Sequence, residues 1–162
     1  MVTASKDSTT EYSLPSDREI LMTRSFDAPR RLVFEAYTNP AHVPHWMLGP
    51  PGWSMPVCEI DLRPGGKWRF VWRKADGSEM AMQGEYREIV APERIVWTES
   101  WGGPWPETVN TLVLTEEDGR TTLRCTLLYP SKQARDAAFA TGMKDGASQS
   151  FDRLAGLLQT LR

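Results

Sequence analysis

The chain has 162 residues, close to the length of one domain. Apolar residues make up 40% and charged residues 25%, which is a globular rather than a disordered composition. With 19 basic and 21 acidic side chains, two cysteines and no apolar run of membrane-spanning length, it does not read as a highly basic nucleic-acid binder, a zinc–cysteine module or a membrane span.

Residues 1–17 are polar and irregular and predict a flexible tail, leaving 18–162 as one domain. The first residues carry no apolar h-region, so an intracellular, cytoplasmic protein is expected. The run from Ile20 to Phe26 predicts a strand with Ile20, Met22 and Phe26 on one face. Asp27-Ala28-Pro29 predicts a helix start, with Asp27 as cap and Pro29 in the first turn. Val33, Phe34, Ala36 and Tyr37 give that helix an apolar side, and Asn39-Pro40 ends it. A second short helix is expected over 41–46, interrupted by Pro44, before a Gly/Pro turn at 49–52.

The apolar period then changes from about 3.6 to 2 residues. Residues 55–62 predict a strand with Cys58, Ile60 and Leu62 on one face. Trp68, Phe70 and Trp72 alternate with Lys67, Arg69 and Arg73 in the next. Asp76-Gly77 signals a hairpin, and Met80, Met82, Gly84 and Tyr86 share a face of the return strand. Ile95, Trp97, Glu99 and Trp101 share a face of the strand after that. Two further strands, 107–115 and 120–129, flank Asp118-Gly119, with Leu112, Leu114, Leu123, Cys125 and Leu127 inward. Ser131 is positioned to cap a long helix from Lys132, weakened at Thr141-Gly142. Met143, Ala147, Phe151, Leu154, Leu158 and Leu161 form one apolar stripe along it. The order is strand, two helices, six strands, long helix: an α+β fold in which a curved antiparallel sheet needs the terminal helix to cover its apolar face.

All seven tryptophans fall between positions 46 and 105, together with Met47, Met55, Met80 and Met82. Large rings and thioethers suit a pocket for an apolar or aromatic small molecule, but they also fill cores, and Trp68, Trp72 and Trp97 fit either reading. Trp53 and Trp105 lie in or beside Gly/Pro loops, where packing alone explains a large ring less well. Glu99 shares its face with rings. If buried there it would have a raised pKa and could act as an acid or a ligand anchor; if the strand end bends, it reaches solvent.

Other chemistries find less support. His42 and His45 would need a third ligand, such as Glu59, Asp61 or Glu99, to hold a metal, and nothing in the spacing requires one. No GxSxG elbow or Gly-rich phosphate loop occurs. Cys58 and Cys125 read as reduced core thiols. Arg63, Lys67, Arg69, Arg73 and Lys74 alternate with the aromatics, so charges and rings point to opposite faces and the charges belong to a solvated outer surface. No catalytic residue, metal site or cofactor is assigned.

Several strings carry a resemblance. Phe26-Asp27-Ala28-Pro29, Val33-Phe34-Glu35-Ala36-Tyr37-Thr38, Asn39-Pro40, His45-Trp46 and Gly49-Pro50 form its opening. Residues Cys58 to Gly66, Gly84-Glu85-Tyr86, Pro92-Glu93-Arg94-Ile95 and Asp152-Arg153-Leu154 continue it. Together they resemble the SRPBCC (START-like) superfamily over residues 20–161, most closely the branch named after the activator of the 90-kDa heat-shock protein ATPase. The resemblance implies a helix-grip fold with a cavity between sheet and terminal helix that takes lipid-like or aromatic ligands. Carried onto this chain, the cavity positions are Trp46, Phe70, Trp72, Met82, Tyr86, Trp97, Trp101, Met143 and Phe151, with Glu99 and Tyr86 as polar candidates. Met47 stands where the family commonly has a second Trp, which alters the mouth. The expected activity is binding of a small hydrophobic ligand. The alternatives are a cyclase or hydrolase acting on a polyketide-like compound and a chaperone-stimulating module. A homodimer is an expectation from relatives. Nucleic acid, membrane insertion and a chaperone are not expected partners.

Overall fold

The computed structural model describes residues 9–162. The elements follow in the order β1 (Glu11–Ser13), β2 (Glu19–Phe26), α1 (Arg30–Thr38), α2 (Val43–Trp46), β3 (Trp53–Ile60), β4 (Lys67–Lys74), β5 (Glu79–Val90), β6 (Arg94–Glu99), β7 (Thr108–Glu117), β8 (Arg120–Leu128), α3 (Lys132–Phe139) and α4 (Met143–Leu161). The strands make one eight-stranded antiparallel sheet in the order β1-β2-β8-β7-β6-β5-β4-β3. Hairpins connect β3 through β8 in sequence. β2 pairs with β8 across the two helices that separate it from β3, which joins the first strand to the last.

The period-two faces take the places their patterns predict. Ile20, Met22 and Phe26 of β2, Leu112 and Leu114 of β7, and Leu123, Cys125 and Leu127 of β8 are all buried in one cluster. Trp68, Phe70 and Trp72 of β4 are buried while Lys67, Arg69 and Arg73 are exposed. The pairing changes along β5. Up to Glu85 its register is with β4; from Tyr86 it runs with β6, and the register shifts between Tyr86 and Glu88. Gly84 sits beside this change of pairing. A Cβ there would lie 1.7 Å from the Thr98 carbonyl oxygen, so only glycine lets the backbones approach this closely.

Four expectations are corrected. The proposed tail 1–17 is ordered over 11–13, where β1 pairs with β2 and Tyr12 Oη donates to the Lys144 carbonyl at 2.7 Å; residues 1–8 lie outside the described residues. Asp27 does not cap α1: Pro29 holds the N-cap position, and the Asp27 carboxylate instead faces Arg120 and Arg162. β3 runs 53–60 rather than 55–62, and Leu62 is exposed because the chain has already turned at Asp61. The terminal helix is two helices. Ser131 caps α3 through the Ala134 N–H, and the chain breaks at 140–142 before α4.

α4 is tied to β1 and β2 along its length. Tyr12 Oη and Ser148 Oγ lie 2.8 Å apart, Arg24 pairs with Asp152 at 2.9 Å, and Gln159 and Arg162 both donate to the Asp27 carbonyl. Phe151 meets Phe26 edge-on at 6.2 Å on one side and stacks on Trp46 of α2 at 6.1 Å on the other. Leu154 and Leu158, one turn apart, are fully buried against this layer. No helix among the described residues is long and apolar enough to cross a membrane.

Candidate functional site

A cavity of about 360 Å³ lies between the sheet and the first half of α4, a size typical of small-molecule sites. All ten residues expected at a site line it: Trp46, Phe70, Trp72, Met82, Tyr86, Trp97, Glu99, Trp101, Met143 and Phe151. Six of the seven tryptophans do so, Trp53 and Trp68 included. Trp105 does not. It lies in a separate surface groove beside Pro104, Pro106, Pro130 and Ala137.

The rings are held by their partners rather than left loose. Trp46 Nε1 donates to the Ala36 carbonyl at 2.9 Å and Trp72 Nε1 to the Met47 carbonyl at 2.7 Å. Phe70 lies 4.9 Å from Trp68 and 6.0 Å from Trp72 between ring centroids, an aromatic row along β4. Trp72 stacks on Trp101 at 5.4 Å and 14°. Trp101 is 40% exposed and Met80 43% exposed, so this side of the lining reaches solvent. The other side of the mouth is the turn after α2. There the Gly49 N–H donates to Ser150 Oγ at 2.9 Å, fixing the turn to α4. Trp53, at the start of β3, carries the Lys74 ammonium 4.9 Å from its ring centroid.

The polar part of the wall is small. Glu99, at the end of β6, is partly buried. Its Oε1 accepts from Asn110 Nδ2 at 2.9 Å and its Oε2 from Trp101 Nε1 at 3.0 Å. Burial raises the Glu99 carboxyl above its ordinary value, and the donors from Trp101, Trp97 and Asn110 only partly offset that. Burial also raises the phenols of Tyr37 and Tyr86 and the Cys125 thiol, with the Glu99 charge adding to the effect at Tyr37 and Cys125. At neutral pH those three groups are therefore neutral donors. Asn110 is fully buried, and its Oδ1 has no hydrogen-bond partner among the described residues. The Trp68 indole N–H is likewise without one.

Asn110, Tyr37 and Ser150 are lining residues that sequence reasoning did not place at the site. Asn110 had a readable signal, because it continues the alternation of Leu114 and Leu112 toward the start of β7. Tyr37 sits with Trp46 at 4.9 Å, a contact no spacing rule reports. His42 faces Glu35 at 3.9 Å, and among the described residues no three His, Cys, Asp or Glu side chains converge. Both cysteines are free, with Cys125 on the cavity wall.

An open antiparallel sheet closed by a C-terminal helix, with an aromatic cavity between them, defines a helix-grip domain. Residues 27–159 match the family model described as Activator of Hsp90 ATPase homolog 1-like protein, and the chain belongs to that family, within the SRPBCC superfamily. Such proteins generally bind hydrophobic ligands. Among solved structures, the chain is similar to a protein from Rhodobacter sphaeroides, at 27% identity over 94% of this chain and 99% of that one, with a TM-score of 0.90. It is also similar to a protein from Mycobacterium smegmatis, at 25% identity over 93% and 96%, with a TM-score of 0.82. An AHSA1-like protein from Aeromonas hydrophila shares the fold at 17% identity over 85% and 94%, with a TM-score of 0.70. No curated protein matches the chain.

Proposed function

We propose that the protein binds a hydrophobic or aromatic small molecule in the cavity between the sheet and α4. The observation that carries this reading is the cavity itself: about 360 Å³ of space walled by six indole rings and open beside Trp101. Burial of apolar ligand surface supplies the affinity, roughly 25 cal/mol per Å² before the losses of association. Glu99 and Tyr86 supply polar selectivity. Titration of the intrinsic tryptophan fluorescence with flavonoids, fatty acids and aromatic polyketides tests the reading. A saturable change with at least one class is expected, and native mass spectrometry of freshly purified protein is expected to carry a co-purifying mass. A flat response to every class, with no bound mass, overturns it.

A second reading has one observation in its favour. Glu99 is a carboxyl with a raised pKa inside a cavity, which is how a general acid is prepared. On that reading the same site is an enzyme acting on a polyketide-like compound. Turnover of a bound compound that stops in Glu99→Gln would favour it over simple carriage.

A further inference from the structure

The charge on the cavity wall restricts the ligand further. Among the described residues Glu99 is the only Asp or Glu that lines the cavity, and no Lys, Arg or His lines it. Its oxygens accept from neutral donors only, the Asn110 amide and the indoles of Trp101 and Trp97, and among the described residues it has no ion-pair partner. A carboxylate oxygen still has lone-pair capacity after one such bond. Beside it, Asn110 has turned its amide N–H to Glu99 and leaves Oδ1 as a buried acceptor without a partner. In register, Asn110 stands opposite Trp97, which places an indole next to the two acceptors. The stacked Trp72–Trp101 pair adds further ring surface.

One buried acceptor without a donor, one carboxylate without a cation, and aromatic faces around them are complementary to an N–H-bearing cation. Ammonium groups are attracted to aromatic faces, most strongly to Trp. An ammonium also supplies the countercharge that Glu99 lacks and the donor that Asn110 Oδ1 lacks. An anionic head group would meet the opposite: a like charge and no buried countercharge. We propose that the cavity selects a lipophilic amine, an aromatic or alkyl skeleton with one protonated primary or secondary amino group seated against Glu99 and Asn110 Oδ1. This names the ligand class for the site proposed above and rests on that reading.

Isothermal titration with three probes on one skeleton tests it: naphthyl-ethylamine, naphthyl-ethanol and naphthyl-acetate, at a pH where the amine is charged. The amine is expected to bind about tenfold or more tighter than the alcohol, a difference of about 1.4 kcal/mol, and the carboxylate weakest of the three. In Glu99→Gln the amine-to-alcohol ratio is expected to collapse toward one. If the alcohol or the carboxylate binds as tightly as the amine to the unaltered protein, the amine assignment is wrong and the cavity reading stands. If the ratio survives in Glu99→Gln, the assignment of the cation to Glu99 is overturned. If none of the three binds, and the wider fluorescence panel is silent too, both readings fall together.

Discussion

The two halves of α4 carry one continuous apolar stripe yet meet the sheet in opposite ways. In the second half, Leu154 and Leu158 are fully buried in one cluster with Leu112, Leu114 and Leu123, and Asp152 and Gln159 tie the helix to β2 and the start of α1. In the first half, Gly146, Ala147 and Ser150 line the cavity with Met143 and Phe151, and Gly146 and Ser150 lie against the Gly49-Pro50 turn. The difference is side-chain volume, not pattern. Branched aliphatics reach the opposite layer and close it. Small residues on the helix cannot, and the indoles across from them are held by their own hydrogen bonds and ring contacts, so they do not collapse inward. A hollow is therefore stable where a well-closed core would otherwise form.

Three changes break or sharpen that contrast. The largest effect is expected from Leu154→Ala, which would open the closed half: a loss of about 2–5 kcal/mol, measured as a lower denaturant midpoint with the slope unchanged. A loss well under about 1 kcal/mol would mean the second half is not closed as described.

The next effect is a pH dependence located at the hollow. The folded Glu99 carboxyl lies above its ordinary value of 4.5. Below that ordinary value both folded and unfolded chains hold the proton, and the contribution to stability is fully present. As pH rises, the unfolded chain releases its proton first, and the contribution is lost by the time pH passes the folded value. The nearby Tyr37, Cys125 and Tyr129 are all raised away from this window, Tyr129 to about 12, so they do not titrate within it. Glu99→Gln removes the loss. Its stability relative to the unaltered protein is therefore expected to improve between pH 4 and pH 7, read from urea unfolding at both. A gap that stays constant would place the carboxyl in solvent.

The smallest change in stability is expected from Ala147→Leu, which adds volume where space exists. It should stay within about 1 kcal/mol of the parent, below the ordinary penalty for overfilling a packed core, while abolishing the fluorescence response to any ligand. A penalty of about 3 kcal/mol would show that the space beside Ala147 is already filled.

Much of this was legible in particular residues. The alternation of Trp68, Phe70 and Trp72 with charged neighbours fixed the inward face of β4, and Asp76-Gly77 and Asp118-Gly119 fixed two hairpins. What escaped had a physical reason each time. β1 has one large apolar residue, Tyr12, whose partners Lys144 and Ser148 lie more than 130 positions away, so nothing local marks it as ordered. Asn110 continues the inward alternation of Leu112 and Leu114, but a polar side chain there points to no role until its partner, Glu99, is known. Gly146 and Ser150 add nothing to an apolar stripe, although both line the cavity.

The amino-acid sequence alone determined which residues point inward, because periods of 2 and about 3.6 report the direction of a side chain from its own backbone. It also determined the order of elements and the crowding of indoles into one stretch. Only the tertiary structure decided how far apart the facing layers stand, and therefore where inward side chains touch and where they surround a hollow. That distance depends on pairs of volumes contributed by β4, β6, β7 and α4, which no periodicity within a single segment records.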